Sequence, residues 1–145
     1  MSLFPLLTPP EGTGGTAALP LFREPAWDFG ANRPIWRGGE PVYVSGASAV
    51  LVWAWNALHT EKGLYDAFTR DYGLGIRALV GQPYSETIKQ SEGSRYVREC
   101  LMTNPYITAV EQVDVTFEET VLTLTVRIRT IYGEVTVDGC RIAGL

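Results

Sequence analysis

The chain has no run of lysine and arginine and no long apolar segment. Its 145 residues include 12 basic and 16 acidic side chains, with a formal net charge of −4. Nucleic-acid binding requires clustered cations that neutralise phosphates, so this composition argues against a nucleic-acid partner. A membrane helix needs about 18 apolar residues, and the opening MSLFPLLTPPEG lacks the basic start and uninterrupted apolar core of a signal peptide. We therefore expect a protein made in the cytoplasm, with no membrane association.

Metal-ligating and redox-active residues are also scarce. The chain has two cysteines, Cys100 and Cys140, and one histidine, His59. Two distant cysteines form neither a disulfide framework nor a metal-binding spacing, so reduced packing thiols are expected. His59 falls at the end of a predicted helix, where it either caps the helix or is exposed. We predict no metal site and no cofactor.

The clearest pattern that is present predicts a three-stranded antiparallel sheet near the C-terminus. Between Leu122 and Ile128, apolar residues alternate with polar ones at the period of a half-buried strand. Val113 to Phe117 alternates in the same way, the pair Glu118-Glu119 suits a hairpin connection, and Glu134 to Val137 predicts a shorter last strand. The two faces of the middle strand are Leu122, Leu124, Val126 and Ile128 on one side and Thr123, Thr125, Arg127 and Arg129 on the other. The last strand is expected to leave an open edge.

The N-terminal region predicts an extended arm over residues 1–22, followed by a single domain over residues 23–145. Four prolines and three glycines separate two small apolar clusters in the arm, a composition that cannot pack on itself. Two interpretations stay open, a frayed terminus and a segment that orders on a neighbouring subunit. Behind the arm, short apolar segments around Trp27, Trp36 and Tyr43 alternate with glycine and proline, which predicts a small hairpin.

A helix is predicted from an N-cap at Ser45 to about Leu58, and it is apolar nearly all round. One face carries Val50, Trp53, Ala54, Ala57 and Leu58, and the other carries Leu51, Val52 and Trp55. Such a helix is either central in its domain or covered by a second protein. Because one small domain does not easily bury two tryptophans on different sides, we predict that Trp53 or Trp55 faces a partner.

A second helix is predicted from Ser85 to about Met102, because Pro105 cannot continue it. Its core side comprises Ile88, Tyr96, Val97, Cys100 and Leu101. Gly93 marks either a weak point or a close helix contact. Between the two helices, Gly73 and Gly75 permit a sharp turn before a short apolar helix that contains Ile76, Leu79 and Val80. The predicted fold class is α+β: about three long C-terminal strands packed with two to three helices.

Three stretches resemble a known family. The first is WDFGANRPIWRGGEPVYVSGASAVLVWAWNALHTEKG, in which a Trp-Asp-Phe stretch leads into a helix and a Thr-Glu turn. The second is the structural turn Asp71-Tyr72-Gly73 with the following Leu79-Val80-Gly81, and the third is the order of helix, proline-containing tripeptide and long hairpin between Ser85 and Val137. Over most of its length the chain resembles the small, lysozyme-like baseplate wedge proteins that initiate the sheath in contractile phage tails and injection systems. The first stretch resembles in particular the variant of this family that is found in phage-like elements of Gram-positive bacteria.

The resemblance implies a structural baseplate subunit that docks on other wedge proteins and templates the first sheath ring by strand sharing. Its partners would be wedge proteins, the sheath protein and inner tube or hub proteins. The protein would be made in the bacterial cytoplasm and would be present in six copies per baseplate. Docking would use Asn104, Pro105 and Tyr106, which stand where many relatives carry Glu-Pro-Arg. Hydrogen bonding from Asn104 and the ring and hydroxyl of Tyr106 would then replace an ion pair. Strand sharing would use Arg127, Arg129, Glu134, Val135, Thr136 and Val137.

Two other functions stay open. A peptidoglycan-hydrolysing, lysozyme-like enzyme needs two carboxylates across a cleft, one of them with a raised pKa. The candidates by count are Glu61, Asp66, Asp71 and Glu86, but none sits in a catalytic motif, and we assign no catalytic residue. A generic module that binds a peptide by adding it to the sheet as a strand would share the same open edge.

Overall fold

The computed structural model describes residues 19–60, 73–75, 84–118 and 121–142. Most of the predicted arm and the predicted short helix at Ile76 to Val80 lie outside these residues. The described part is an α+β fold, as the sequence predicted, in which a three-stranded sheet packs against two helices beside an N-terminal region of short strands.

The N-terminal region is a branched β-structure. Its six strands are β1 Arg23–Pro25, β2 Trp27–Asp28, β3 Arg33–Pro34, β4 Trp36–Arg37, β5 Glu40–Pro41 and β6 Tyr43–Ser45. Strand β1 pairs with β6 as a stem, and two hairpins, β2–β3 and β4–β5, branch from it. Main-chain bonds join the branches: Ala26 N donates to Val42 O (2.6 Å), Ile35 N to Ala26 O (2.9 Å) and Val42 N to Ile35 O (3.0 Å). Where the sequence predicted one small hairpin, the chain therefore forms two.

Helix α1, Ala47–His59, begins one residue later than predicted because its N-cap is Gly46 and not Ser45. Ser45 is the last residue of β6. Gly46 has a φ of 69° and no side-chain cap, a backbone conformation that glycine adopts without the steric cost paid by other residues. Reversal from strand to helix therefore depends on backbone freedom at Gly46, and the predicted hydroxyl cap is wrong.

The apolar surface of α1 is explained by its central place. The helix packs on β9, β1, β6 and α2, which cover it from several sides. Its buried residues are Ala49, Val50, Val52, Ala54, Trp55, Ala57 and Leu58. Of the two explanations that the sequence left open, a central position accounts for most of this surface. At the C-terminal end, Thr60 Oγ1 donates to Asn56 O (2.8 Å).

Helix α2, Glu86–Leu101, begins one residue after the predicted start, because Ser85 is its N-cap: the Ser85 Oγ accepts a hydrogen bond from Ile88 N (3.3 Å). Its buried residues are Gly93, Val97, Cys100 and Leu101. The prediction of Ile88 as a core residue is wrong, since 46% of it is exposed. The helix meets the sheet at Gly93, where an added Cβ would lie 3.1 Å from Val115 Cγ1. Of the two alternatives that the sequence left open at Gly93, the structure shows a close contact, which the helix makes with the sheet.

The C-terminal sheet has the order β7-β8-β9, with β7 Ile107–Glu118, β8 Val121–Thr130 and β9 Gly133–Ile142. The predicted faces of the middle strand are confirmed, because its apolar residues are buried while Arg127 and Arg129 are exposed. The hairpin predicted at Glu118-Glu119 is supported by the pairing of Glu118 with Val121.

Strand β9 is longer than the predicted segment from Glu134 to Val137. It passes through an irregularity at Asp138 and Gly139 and then continues to Ile142. Asp138 and Gly139 together face the single residue Thr125 of β8, and Gly139 has a φ of 63°. This one extra residue shifts the side-chain alternation, so that both Val137 and Cys140 are buried although they lie three positions apart. A bulge breaks the period of two, which is why the sequence pattern indicated an earlier end to the strand.

Candidate functional site

The outer edge of β9 is the first candidate site. Strand β9 pairs with β8 on one side, and within the described ranges no strand pairs with its other side. The connection between β8 and β9 is two residues, Ile131 and Tyr132, so Thr130 and Gly133 are the first pair of the ladder. Pairs of an antiparallel ladder alternate between bonded and non-bonded, which directs the main-chain groups of Glu134 and Thr136 away from β8 and toward the open edge.

The opposite edge of the sheet, β7, supports this alternation and is partly covered. Gln90 Nε2 of α2 donates to the main-chain oxygen of Val113 (3.3 Å). Val113 pairs with Val126, whose other neighbour is Val137. The alternation turns the carbonyl of Val113 outward, where Gln90 meets it. A helix side chain therefore occupies part of the β7 edge, and β9 is the more accessible strand.

The sequence grouped Arg127 and Arg129 with the shared strand, but they lie on β8 in the middle of the sheet. Their main chains have strands on both sides and cannot pair with another chain. Both side chains lie on the face of the sheet that does not carry the core. These arginines can therefore act on a partner through charge alone, whereas Glu134 to Val137 can offer main-chain groups.

The outer face carries charges in columns that follow the strands. Arg129 Nη2 contacts Glu111 Oε2 of β7 at 2.9 Å, and Arg129 pairs across the sheet with Glu134 of β9. The pKa of Glu111 lies below its usual value, first because of a hydrogen bond with the Glu134 carboxyl group and then because of Arg129. The two carboxyl groups therefore lie close together, although they come from the two outer strands of the sheet, β7 and β9.

The predicted docking tripeptide, Asn104-Pro105-Tyr106, forms the connection between α2 and β7. Asn104 is buried and its Oδ1 accepts a hydrogen bond from Tyr106 N (2.8 Å), an Asx turn that reverses the chain. Asn104 Nδ2 is buried with no hydrogen-bond partner among the described residues. Tyr106 is 8% exposed, and Pro105 alone of the three is exposed. Neither Asn104 nor Tyr106 offers the open side chain that the sequence interpretation required.

Tyr106 instead holds the end of the N-terminal arm. Its hydroxyl donates to Pro20 O (2.6 Å), and its ring centroid lies 4.6 Å from that of Phe22. Tyr132, in the β8–β9 connection, accepts a hydrogen bond from Phe22 N (3.0 Å). Burial raises the pKa of Tyr106, and the neighbouring Tyr132 adds to the effect. We call Tyr106 and Tyr132 the tyrosine clamp. No local pattern in the sequence indicates this clamp, because the residues it joins are far apart in the chain.

The two tryptophans of α1 have different environments. Trp55 is 8% exposed, and its ring packs on Phe29 (4.9 Å between centroids). Its Nε1 donates to Asn32 Oδ1 (2.8 Å), which also accepts from Trp27 Nε1 (3.0 Å). Trp53 is half-buried at the margin of the core. Because the chain itself covers Trp55, the prediction that a tryptophan of α1 faces a partner now concerns Trp53 alone.

His59 packs within the fold, against the main chain of α1 and the thiol of Cys140. Its Nδ1 lies 2.7 Å from Trp55 O, and both ring nitrogens lie 3.7 Å from Cys140 Sγ. Burial raises the pKa of Cys140 to about 12, so the thiol is protonated at neutral pH and is a poor nucleophile. Within the described ranges, no three His, Cys, Asp or Glu side chains are grouped to hold a metal ion.

Most of the remaining predicted residues lie outside the part of the chain that the structure describes. Asp71 and Tyr72 of the predicted turn lie outside the described residues, while Gly73 is buried with a φ of 101° and is followed by Leu74, whose N donates to Thr60 O (2.7 Å). Among the carboxylates considered for hydrolysis, Glu61, Asp66 and Asp71 also lie outside. Glu86 is exposed in the first turn of α2, where an acidic residue suits the helix dipole. Neither described helix is long and apolar enough to cross a membrane.

Comparison with known proteins identifies the family. A model described as the contractile injection system sheath initiator matches residues 23–133, from the first residue of β1 to the first residue of β9. No curated protein matches the chain. The match spans most of the chain and describes a structural component of the baseplate in a contractile tail, which agrees with the resemblance of the sequence. The chain belongs to the contractile injection system sheath initiator family.

Proposed function

We propose that this chain starts the sheath by lending strand β9 to the first ring of sheath subunits. The observation that carries the proposal is the open outer edge of β9, a strand of ten residues beside a central β8. A sheath subunit that adds a strand there would bond the main-chain groups of Glu134 and Thr136. Main-chain pairing fixes direction and spacing with little demand on side chains, so the initiator need not resemble the sheath protein in sequence.

The geometry of β9 limits where the added strand can pair. The irregularity at Asp138 and Gly139 interrupts the ladder, since bulges bend an edge strand and end regular pairing. The regular part of the edge is therefore Gly133 to Val137, which contains the segment Glu134 to Val137 that the sequence singled out. Its inner face is anchored, because Val137 is 1% exposed and β9 packs on α1.

Docking on neighbouring wedge proteins would then use the connection between α2 and β7. Pro105 is exposed there, and Met102, at the end of α2, is 48% exposed. Asn104 and Tyr106 support this surface from beneath by fixing the turn. The initiator would be present in six copies, in the baseplate around the hub, with wedge, sheath and tube or hub proteins as neighbours.

Removing β9 is not a clean test of the proposal. Val137 and Cys140 are fully buried, so a chain that stops after Gly133 would lose part of the core and is expected to unfold.

Thr136→Pro tests the proposal with the domain intact. Proline is tolerated in an edge strand where its missing N–H faces solvent, so the β8–β9 ladder survives while one outward donor is lost and the ring obstructs an incoming strand. Thr136→Val is the matched control, because it keeps the N–H. We expect baseplates with Thr136→Pro to carry tubes without an ordered sheath in electron micrographs. Full-length sheaths on those baseplates, with the variant folded, would exclude β9 as the template.

A further inference from the structure

The outer face of the sheet ends in an acidic group that lacks a cationic partner. Across the strands, the exposed charges include Glu111 and Asp114 on β7 and Arg127 and Arg129 on β8. Strand β9 carries Glu134 near the β8–β9 connection and Arg141 near its other end. Oppositely charged residues that face each other across strands stabilise a sheet, and like charges destabilise it. In the row that runs from Glu111 through Arg129 to Glu134, the charges therefore alternate in sign toward the open edge.

Glu134 is the position where this alternation is incomplete. Arg129 faces Glu134 in the register, but its guanidinium contacts Glu111 Oε2 at 2.9 Å. The carboxyl group of Glu134 lies beside the Glu111 carboxyl group, and it forms no ion pair with any lysine or arginine in the part of the chain that the structure describes. Two neighbouring exposed carboxyl groups with one arginine beside them are a place where a further cation from outside would be stabilised.

The neighbouring position on the other face has a different chemistry. Val135 pairs with Ile128 and lies half-buried at the margin of the core. A strand added to β9 would place one side chain beside Glu134 on the charged face and the next beside Val135 on the apolar face, because successive side chains alternate. The edge therefore presents an ordered pair of requirements, one for charge and one for an apolar side chain.

We infer that the strand seated on β9 belongs to the sheath subunit and carries a lysine or arginine opposite Glu134, next to an apolar residue opposite Val135. This inference rests on the proposed function and adds to it the chemistry of the partner. The basic residue would extend the acidic, basic, acidic series by one column. Main-chain bonds would supply most of the affinity, and the charge would select the register, because a slip of one residue would move the cation to the apolar face.

A charge exchange tests the inference in assembled particles. Glu134→Lys, with Glu118→Lys as a control on the exposed face of β7, is combined with the sheath protein of the same gene cluster, in which each Lys or Arg of the terminal strand is changed to Glu in turn. We expect Glu134→Lys to lower the fraction of particles with an ordered sheath, by about two- to fivefold at low salt, and one sheath variant to restore it. The difference is expected to shrink at high salt because exposed charges are screened.

The outcomes separate this inference from the proposed function. If Thr136→Pro abolishes the sheath while Glu134→Lys behaves like Glu118→Lys at every salt concentration, strand addition stands and the basic partner residue is wrong. If the loss caused by Glu134→Lys is rescued by no sheath variant, the basic residue of the sheath strand is likewise wrong. If Thr136→Pro leaves the sheath unchanged, the proposed function itself fails, whatever Glu134 does.

Discussion

The hydroxyl group of Tyr106 donates a hydrogen bond of 2.6 Å to the main-chain oxygen of Pro20, across 86 positions of the chain. The contact joins the start of the C-terminal sheet to the end of the N-terminal arm. Tyr132 makes a second contact of this kind with Phe22 N, so two tyrosines fix the same short segment. The point at which the arm leaves the domain is therefore defined by side chains from the sheet.

Tyr106→Phe removes the bond to Pro20 and leaves the ring contact with Phe22 in place. We expect a loss of about 1 kcal/mol in the free energy of unfolding, because the carbonyl of Pro20 loses its hydroxyl partner. Chemical denaturation measures this loss, and Tyr132→Phe is the matched variant for the second bond. Tyr106→Ala is expected to cost more, since it also removes a buried ring. An unchanged midpoint in Tyr106→Phe would show that the clamp does not stabilise the fold.

The same residue predicts how stability changes at alkaline pH. Burial raises the folded-state pKa of Tyr106 above its ordinary value of 10.0, so the fold favours the neutral hydroxyl. This contribution is complete below pH 10 and is lost as the pH rises through the raised folded-state pKa, because the unfolded chain releases the proton first. Denaturation curves between neutral pH and that range measure the loss. The loss is expected to be smaller in Tyr106→Phe than in the unaltered chain.

Asn32 organises the N-terminal hairpins through one oxygen atom. Its Oδ1 accepts hydrogen bonds from two indole groups, and its φ of 53° lies in a region that asparagine tolerates better than most residues. Asn32→Gly keeps the backbone accessible and removes the acceptor, so we expect a loss of about 1–3 kcal/mol from the unpaired indole N–H groups. Asn32→Asp keeps an acceptor and is expected to lose less. Equal stability of the two variants, measured by thermal unfolding, would contradict this role.

Local pattern predicted the elements of the fold well, while long-range contacts decided the sites. Alternation of side chains is a property of neighbouring residues, so the faces of β8 from Leu122 to Ile128 followed from the sequence. The continuation of β9 through Asp138 and Gly139 did not, because a bulge breaks the period. The burial of Trp55 depends on Asn32, which lies 23 positions earlier, and no local pattern indicates that contact. The assignment of Tyr106 to an interface has the same cause: its partner within the fold, Pro20, is distant in the chain, so no local pattern indicates that Tyr106 is buried.

The exposed apolar surface at the end of α2 predicts where the initiator docks on wedge proteins. Met102 is 48% exposed beside Pro105, and Ile88, in the first turn of the same helix, is 46% exposed. Met102→Lys and Ile88→Glu form a matched pair, because the two side chains are similarly exposed. Each change introduces the charge that the helix dipole favours at that end: positive at the C-terminal end of α2 for Met102 and negative at its N-terminal end for Ile88. Neither is expected to lower the stability of the domain by much.

If the connection between α2 and β7 is the docking surface, Met102→Lys weakens co-purification with the wedge proteins of the same gene cluster, whereas Ile88→Glu does not. Loss of a central interface residue costs about 2 kcal/mol, which corresponds to roughly a thirtyfold weaker affinity. Thermal unfolding of both variants checks that the fold is kept, a check that Tyr106→Ala would not pass because it removes the clamp. Equal recovery of wedge proteins by the two variants would place docking elsewhere on the chain, with the half-buried Trp53 of α1 as the next surface to change.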